Sequence, residues 1–275
     1  MPELPEVETT RLGLLPAVEG RGILDLVIRD RRLRWPIPRN LKSLLVGRTV
    51  LGVARRGKYL LWDIESTSGG GFLLCHLGMS GSMFTVRSGV VPIKHDHVDI
   101  VFGDDTIVRY HDPRRFGAML WISGETPTHP LLDKLGPEPM GADFNGSLLF
   151  ARSRGRAVSV KEFIMDGHTV VGVGNIYASE SLFDAGIRPT TSAGRISGPR
   201  YERLANSIKA TLAKAIAAGG SSLRDYVKAD GESGYFQLAA RVYGREGERC
   251  HTCQSPIRAI RQGQRSTFFC PRCQT

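Results

Sequence analysis

The chain has 275 residues, of which 41% are hydrophobic and 23% charged, so it is long enough for two soluble domains with cores of their own. Its formal charge of +10 points to an acidic partner, with nucleic acid first because phosphates attract dispersed Lys and Arg over long range. No apolar run is long enough to span a bilayer, no basic amphipathic helix is evident and no secretory signal opens the chain, so a membrane partner is set aside and a cytoplasmic location expected.

The N-terminus reads Met1-Pro2-Glu3-Leu4-Pro5-Glu6-Val7-Glu8. Removal of the initiator methionine would leave Pro2 as a free secondary amine beside Glu3 and Glu6. An α-amino group has an unperturbed pKa of roughly 7.7 to 8.0, against about 10.4 for lysine, so part of it is neutral without burial. Such an amine attacks aldehyde-like carbons to give imines, and adjacent carboxylates can move the protons. The alternative is an exposed end leading into a helix near Pro5, whose acidic first turn favours the helix dipole.

A helix is expected from residue 3 to about 18, followed by short β segments between Ile23 and Ser123. These include Leu24 to Ile28, Tyr59 to Asp63, Phe72 to Leu77, Val98 to Phe102 and Thr106 to Tyr110, with a hairpin turn at Gly103-Asp104-Asp105. Several short strands at near-regular spacing imply a sandwich or barrel, and Cys75 in Phe72-Leu73-Leu74-Cys75 reads as core. Prolines and glycines from 125 to 146 mark a linker. Beyond it, Ser147 to Ala151, Lys161 to Met165, Ile176 to Ala185 and Pro199 to Ala218 read as helices, the last ending at Gly219-Gly220. The fold class is therefore α+β: an N-terminal β-sandwich with an N-terminal helix, then a helical domain and a small hairpin. The expected boundaries are 1–124, 125–146, 147–246 and 247–275.

Gly172-Val173-Gly174-Asn175 lacks the third glycine and the βαβ frame of a dinucleotide site. It remains a glycine-rich turn opening a helix, able to offer backbone N–H groups to phosphate or simply to connect two packed helices. Cys250 and Cys253, then Cys270 and Cys273, form two C-x2-C pairs sixteen residues apart, the spacing of a four-thiolate zinc site. Two disulfides fit a reducing compartment less well. Ile257 to Ile260 and Ser266 to Phe269 can be strands around Gly263. From Arg249 to Thr275 the chain carries Arg249, Arg258, Arg261, Arg265 and Arg272 and no acidic residue, which suits a phosphate-facing surface.

Seven blocks in order along the chain resemble one family. They are PELPEVE at Pro2 to Glu8, RRGKYLLW around Lys58, HLGMSGS at His76 to Ser82, KHDHVD at Lys94 to Asp99, DPRRFGA at Asp112 to Ala118, VVGVGNIYASESLF at Val170 to Phe183 and the final cysteine hairpin. Together they are similar to the formamidopyrimidine-DNA glycosylases. The resemblance implies a bifunctional glycosylase and abasic-site lyase of base excision repair. Such an enzyme excises oxidised purines, such as 8-oxoguanine and formamidopyrimidines, from duplex DNA through an imine on the N-terminal proline, with β,δ-elimination afterwards.

Carried onto this chain, the resemblance implies Pro2 as nucleophile, Glu3 as proton donor and acceptor, Lys58 as the acid of β-elimination and Arg265 as that of δ-elimination. It implies Met79, Arg114 and Phe116 as residues that fill the gap left by an extruded base, and DNA contacts at His95, Arg114, Arg156, Asn175 and Lys161. It also implies a helix, two turns, helix element and one structural zinc ion on Cys250, Cys253, Cys270 and Cys273. The expected partner is double-stranded DNA carrying oxidised purines or abasic sites, met by a monomer at the nucleoid. Glu232 to Tyr235 falls where the family closes over the extruded base but departs from the pattern, so no lesion contact is assigned there.

Two other readings stand beside this one. The endonuclease VIII branch shares Pro2, Glu3 and the hairpin but prefers oxidised pyrimidines; Leu4, where that branch typically has glycine, and the DPRRFG block favour the purine enzymes. A basic zinc-ribbon protein that binds DNA without catalysis would have the same composition and cysteines.

Overall fold

The computed structural model describes residues 2–65, 70–219 and 240–275. The expected helix end at Gly220 and the segment Glu232 to Tyr235 lie outside the described residues. The chain divides into two compact units, and the main boundary falls between Asp133 and Lys134, within the stretch expected as a linker. A short helix, Pro130–Asp133, also lies in that stretch.

The first unit begins with α1 (Leu4–Val18). Among its buried residues, Leu4, Val7, Thr10, Leu14 and Val18 are spaced by three and four and share one helical face, while Pro5 and Glu6 are buried beside them in the first turn. Eight strands follow: β1 (Ile23–Ile28), β2 (Val50–Arg56), β3 (Tyr59–Ile64), β4 (Gly71–His76), β5 (Ser82–Arg87), β6 (Asp96–Phe102), β7 (Thr106–His111) and β8 (Ala118–Ser123), with α2 (Leu41–Leu45) between β1 and β2. They form two four-stranded sheets, ordered β1-β6-β7-β5 and β2-β3-β4-β8. All their pairings are antiparallel.

One apolar cluster takes Leu26, Met83, Val98, Ile100, Phe102, Val108 and Tyr110 from the first sheet. It takes Val50, Leu60, Trp62, Leu73, Cys75 and Met119 from the second, and α1 adds Val7, Leu14 and Val18. This is a two-sheet sandwich whose core is closed by a helix. Asp104 and Asp105 sit at positive φ in the β6–β7 hairpin, the left-handed conformation that short Asp side chains tolerate.

After α3 (Pro130–Asp133) at the end of the first unit's main segment, the second unit contains α4 (Gly146–Ser153), α5 (Val160–Met165), α6 (Asn175–Asp184) and α7 (Gly198–Ala217). Asn145 caps α4 by accepting the Leu148 N–H at 2.9 Å, and Ser159 caps α5 by accepting that of Glu162 at 3.2 Å. Tyr201, Leu204, Ala205, Ile208, Leu212 and Ala215 form the buried stripe of α7. The chain ends in a hairpin of β9 (Arg258–Gln262) and β10 (Arg265–Phe269), with Gly263 at φ +55 in its turn.

Candidate active site and DNA-facing surface

Pro2, Glu3, Leu4, Pro5 and Glu6 are all buried, so the start of the chain is packed rather than frayed. Glu3 is only 2% exposed, and its backbone N–H donates to Glu6 Oε2 at 2.8 Å. Glu3 and Glu6 form a reciprocal capping box, the Glu6 carboxylate accepting the Glu3 N–H and the Glu3 carboxylate accepting the Glu6 N–H, so both carboxylates expected beside Pro2 satisfy N–H groups that the first turn leaves without an intrahelical partner.

Lys58 follows Gly57 in the tight turn between β2 and β3, where Gly57 takes φ +57. Across the sheet, Tyr59 pairs with His76, and their rings lie 4.9 Å apart. Burial lowers the His76 pKa to about 4, helped by the positive charges of Lys58 and Arg34. The imidazole is therefore neutral at pH 7, and its Nδ1 accepts the Gly78 N–H at 3.0 Å.

His76 also opens the loop that carries Met79. Gly78, at φ +70, packs so closely on the second loop that a Cβ there would lie 2.5 Å from the Gly117 nitrogen. A Cβ on Gly117 would in turn lie 1.7 Å from the Tyr110 hydroxyl. Tyr110 and the Gly117 N–H both donate to Asp112 Oδ2, at 3.1 and 2.9 Å. The two glycines and this buried carboxylate lock residues 76–81 against residues 112–117. The result is a cleft of about 440 Å³ lined by Arg34, His76, Gly78, Met79, Arg115 and Phe116.

Met79 and Phe116 are 38% and 41% exposed at this cleft, unusual for large apolar side chains. The Arg114 guanidinium lies over the Phe116 ring at 4.9 Å. Arg115, at φ +57, also lines the cleft and pairs with Asp30 at 2.6 Å. The three residues expected to fill a gap in DNA are thus neighbours. His95 sits apart from the cleft lining at φ +78, and its carbonyl accepts the Asp112 N–H at 3.0 Å. Its ring lies edge-on to those of His97 and His111. Desolvation and the nearby charge of Lys94 lower its pKa.

The second unit gathers Lys161, Asn175 and the hairpin. Lys161 is 2% exposed, and its Nζ donates to Asn175 Oδ1 at 2.6 Å, Thr267 Oγ1 at 2.7 Å and the Ser266 carbonyl at 3.2 Å. Asn175 Nδ2 donates to the same Ser266 carbonyl at 3.0 Å. Lys161, expected as a DNA contact, is an internal strut that fixes Asn175, the first residue of α6, to β10. Arg265 starts β10 and shares a cleft of about 250 Å³ with Lys161 and Thr267. Arg156 is exposed and lines a different cleft, with Arg152 and His168.

His76, Arg34 and Tyr243 were not singled out from the sequence. His76 at least heads the block His76 to Ser82. Tyr243 gave no local signal: it stacks edge-on against Phe268, and its hydroxyl accepts from Asn175 at 3.4 Å.

The four hairpin cysteines place one sulfur each within 4.8 Å of the others. Cys250 and Cys273 are 3.9 Å apart at sulfur, and Cys253 and Cys270 3.4 Å. These distances are far beyond an S–S bond of about 2.05 Å. They are close to the edges of a tetrahedron with metal–sulfur bonds of about 2.3 Å, the geometry in which four thiolates hold zinc. The residues fit one structural zinc ion. No helix among the described residues is long and apolar enough to cross a membrane.

Comparison with known proteins matches the same parts of the chain. The family model of the formamidopyrimidine-DNA glycosylase N-terminal domain matches residues 1–119. The model of the formamidopyrimidine-DNA glycosylase H2TH domain matches 135–227, and that of the zinc finger found in FPG and IleRS matches 247–275. Formamidopyrimidine-DNA glycosylase of Burkholderia thailandensis is 56% identical over 280 residues, and that of Burkholderia multivorans 56% over 279, with both chains covered completely in each case. The fold is similar to that of Lactococcus lactis Fpg (MutM) in complex with DNA containing N7-benzyl-Fapy-dG, with a TM-score of 0.90, 34% identity and complete coverage of both chains. MutM (Fpg) from Thermus thermophilus gives a TM-score of 0.87 at 38% identity, covering 99% of this chain and 98% of that one.

Proposed function

The chain belongs to the formamidopyrimidine-DNA glycosylase family, and from that premise we propose how its own residues divide the work of excising oxidised purines from duplex DNA. Once Met1 is removed, the Pro2 nitrogen attacks C1′ of the damaged nucleotide, the glycosidic bond breaks and the base leaves with a proton; the C1′–O4′ bond then opens, O4′ taking a proton, to give the imine between Pro2 and C1′. Glu3 handles protons at the sugar, where positive charge develops as the glycosidic bond breaks. Loss of a proton from the resulting imine drives β-elimination of the 3′ phosphate, assisted by Lys58, and then δ-elimination of the 5′ phosphate, assisted by Arg265. Both cations suit a leaving group that gains negative charge.

The damaged base must leave the stack before Pro2 can reach its sugar, which costs a few kcal/mol. Met79 and Phe116 supply the apolar wedge, and Arg114 a long donor for the orphaned opposite base. The observation that carries this reading is the glycine-locked pair of loops: it presents Met79 and Phe116 at one cleft with His76, beside the charge of Lys58. His95, Arg156 and Asn175 contact the DNA backbone in this account, and Lys161 acts by holding Asn175. The working divisions are a catalytic sandwich at 1–124, a linker at 125–146, a DNA-binding helical domain at 147–246 and the zinc hairpin at 247–275. The enzyme works as a monomer on chromosomal DNA in the cytoplasm.

A duplex with a single 8-oxoguanine tests this reading. Base release and strand incision are expected from the wild type, and Pro2→Gly should retain DNA binding while losing most turnover. Incision undiminished by that substitution would remove Pro2 from the mechanism. Binding with no base release would leave a passive DNA-binding protein.

A further inference from the structure

We propose that Glu8 and Arg55 form a clamp that positions Lys58 relative to the helix carrying Pro2 and Glu3, an inference that rests on the role given to Lys58 above. Glu8 lies in the second turn of α1. Its Oε1 accepts from Arg11 Nε at 3.0 Å and Nη2 at 2.7 Å, and its Oε2 accepts from Arg55 Nε at 2.8 Å. Arg55, near the end of β2, also donates from Nη1 to the Gly57 carbonyl at 3.0 Å. That carbonyl belongs to the peptide unit whose nitrogen is that of Lys58. A carboxylate on the catalytic helix thus reaches the backbone of Lys58 through one guanidinium.

Arg11 adds a second tie, donating from Nη1 to the Val53 carbonyl at 3.2 Å. The side chains of Arg55 and Glu8 are only 11% and 16% exposed, so water competes weakly for these bonds. Burial pushes the Glu8 carboxyl up, but the hydrogen bonds from Arg11 and Arg55 outweigh it and hold its pKa below the usual carboxylate range. The two guanidinium groups therefore favour the charged carboxylate that the clamp needs.

Gly57, at φ +57, makes the turn tight, yet a two-residue turn fixes only the direction of the chain. The forked guanidinium also fixes the turn's position against α1. A lysine at 55 has one nitrogen and cannot span both acceptors with the same geometry.

Arg55 and Glu8 are positioning residues here, and the test separates action through Lys58 from general support of the fold. Arg55→Met, Arg55→Lys and Glu8→Gln are made in the wild type and in the Lys58→Met background, in the full-length protein. Single-turnover base release from an 8-oxoguanine duplex and scission of an abasic-site duplex are then measured.

In the wild-type background each variant should slow the Lys58-dependent step about tenfold, as expected of a catalytic group displaced by a fraction of an ångström. In the Lys58→Met background the same changes should cost less than about twofold, because coupled residues are not additive. Equal losses in both backgrounds would overturn the clamp, as would Arg55→Lys behaving like the wild type. If Arg55→Met melts below the assay temperature, Arg55→Lys and Glu8→Gln carry the comparison. If Lys58→Met alone slows neither step, the role of Lys58 fails rather than the clamp, and the wild-type rates show which has happened.

Discussion

His76 illustrates how a single side chain is set by its surroundings. Its partly buried ring is desolvated and lies near Lys58 and Arg34, so it stays neutral down to about pH 4. An unfolded histidine titrates near 6.5. Between those two values the unfolded chain binds more protons than the folded one, so this residue makes stability fall as pH drops from about 6.5 to about 4. Urea unfolding across that window should show a shallower pH dependence for His76→Gln than for the wild type; an unchanged slope would contradict the neutral ring.

Lys161 is the opposite case, a cation enclosed by three acceptors. Lys161→Met would take from Asn175 Oδ1 the donor that Lys161 supplies, while the Ser266 carbonyl keeps that of Asn175 Nδ2, at a cost of about 1–3 kcal/mol. The decrease should appear in denaturant unfolding, together with faster hydrogen exchange in β10. Its location was not legible in the sequence, because an isolated lysine reads as surface and its acceptors on β10 lie about a hundred residues away. Glu3 and Glu6 were half legible: the sequence offered both a proton shuttle and a helix-end charge, and the reciprocal capping box shows the second for each of them.

Among the elements, α7, β3, β4, β6 and β7 follow from their own patterns, because each carries a run or stripe of apolar residues dense enough to declare its period, whereas α1 is announced by Pro5 and its acidic first turn. The strands of the expected β region that were not named individually, β2, β5 and β8, owe their state to partners. β2 contains Gly52 and ends in two arginines, yet six of its residues pair with β3. β5 emerges from a glycine-rich loop and is held by β7, while β8 is held by β4. The five residues of α2 are too few to show a helical period.

The loops that present Met79 and Phe116 were legible as glycine-rich blocks, but not as a locked pair, since the contact joins residues nearly forty positions apart. Gly117→Ala should therefore do more than perturb a turn. Its Cβ would overlap the Tyr110 hydroxyl, costing about 1–3 kcal/mol as overpacking does. Excision should fall by more than DNA affinity does, measured by single-turnover base release and by titration. Equal stability and unchanged excision would show that the loops are independent.

For the whole molecule, the +10 charge and the cysteine spacing were the most legible features, because neither depends on long-range pairing. Affinity for duplex DNA should fall steeply with salt, about a thousandfold or more between 50 and 200 mM if six or more phosphates are neutralised. A flat salt response would contradict a phosphate-facing surface. The hairpin has a small core, Phe183, Val242, Ile257 and the cysteines, and should depend on its ion. Mass spectrometry under native conditions should find one zinc per chain. Its removal should abolish incision and unfold residues 247–275 while the sandwich keeps its strand signal in circular dichroism.

The central claim is that the Pro2 nitrogen bonds to the sugar of a damaged nucleotide. Incubation with an 8-oxoguanine duplex and sodium borohydride, followed by nuclease trimming and tandem mass spectrometry, tests it most directly. The account predicts one reduced adduct per chain, located on Pro2 of a protein that has lost Met1. An adduct on any lysine instead, or none while base release proceeds, would contradict it.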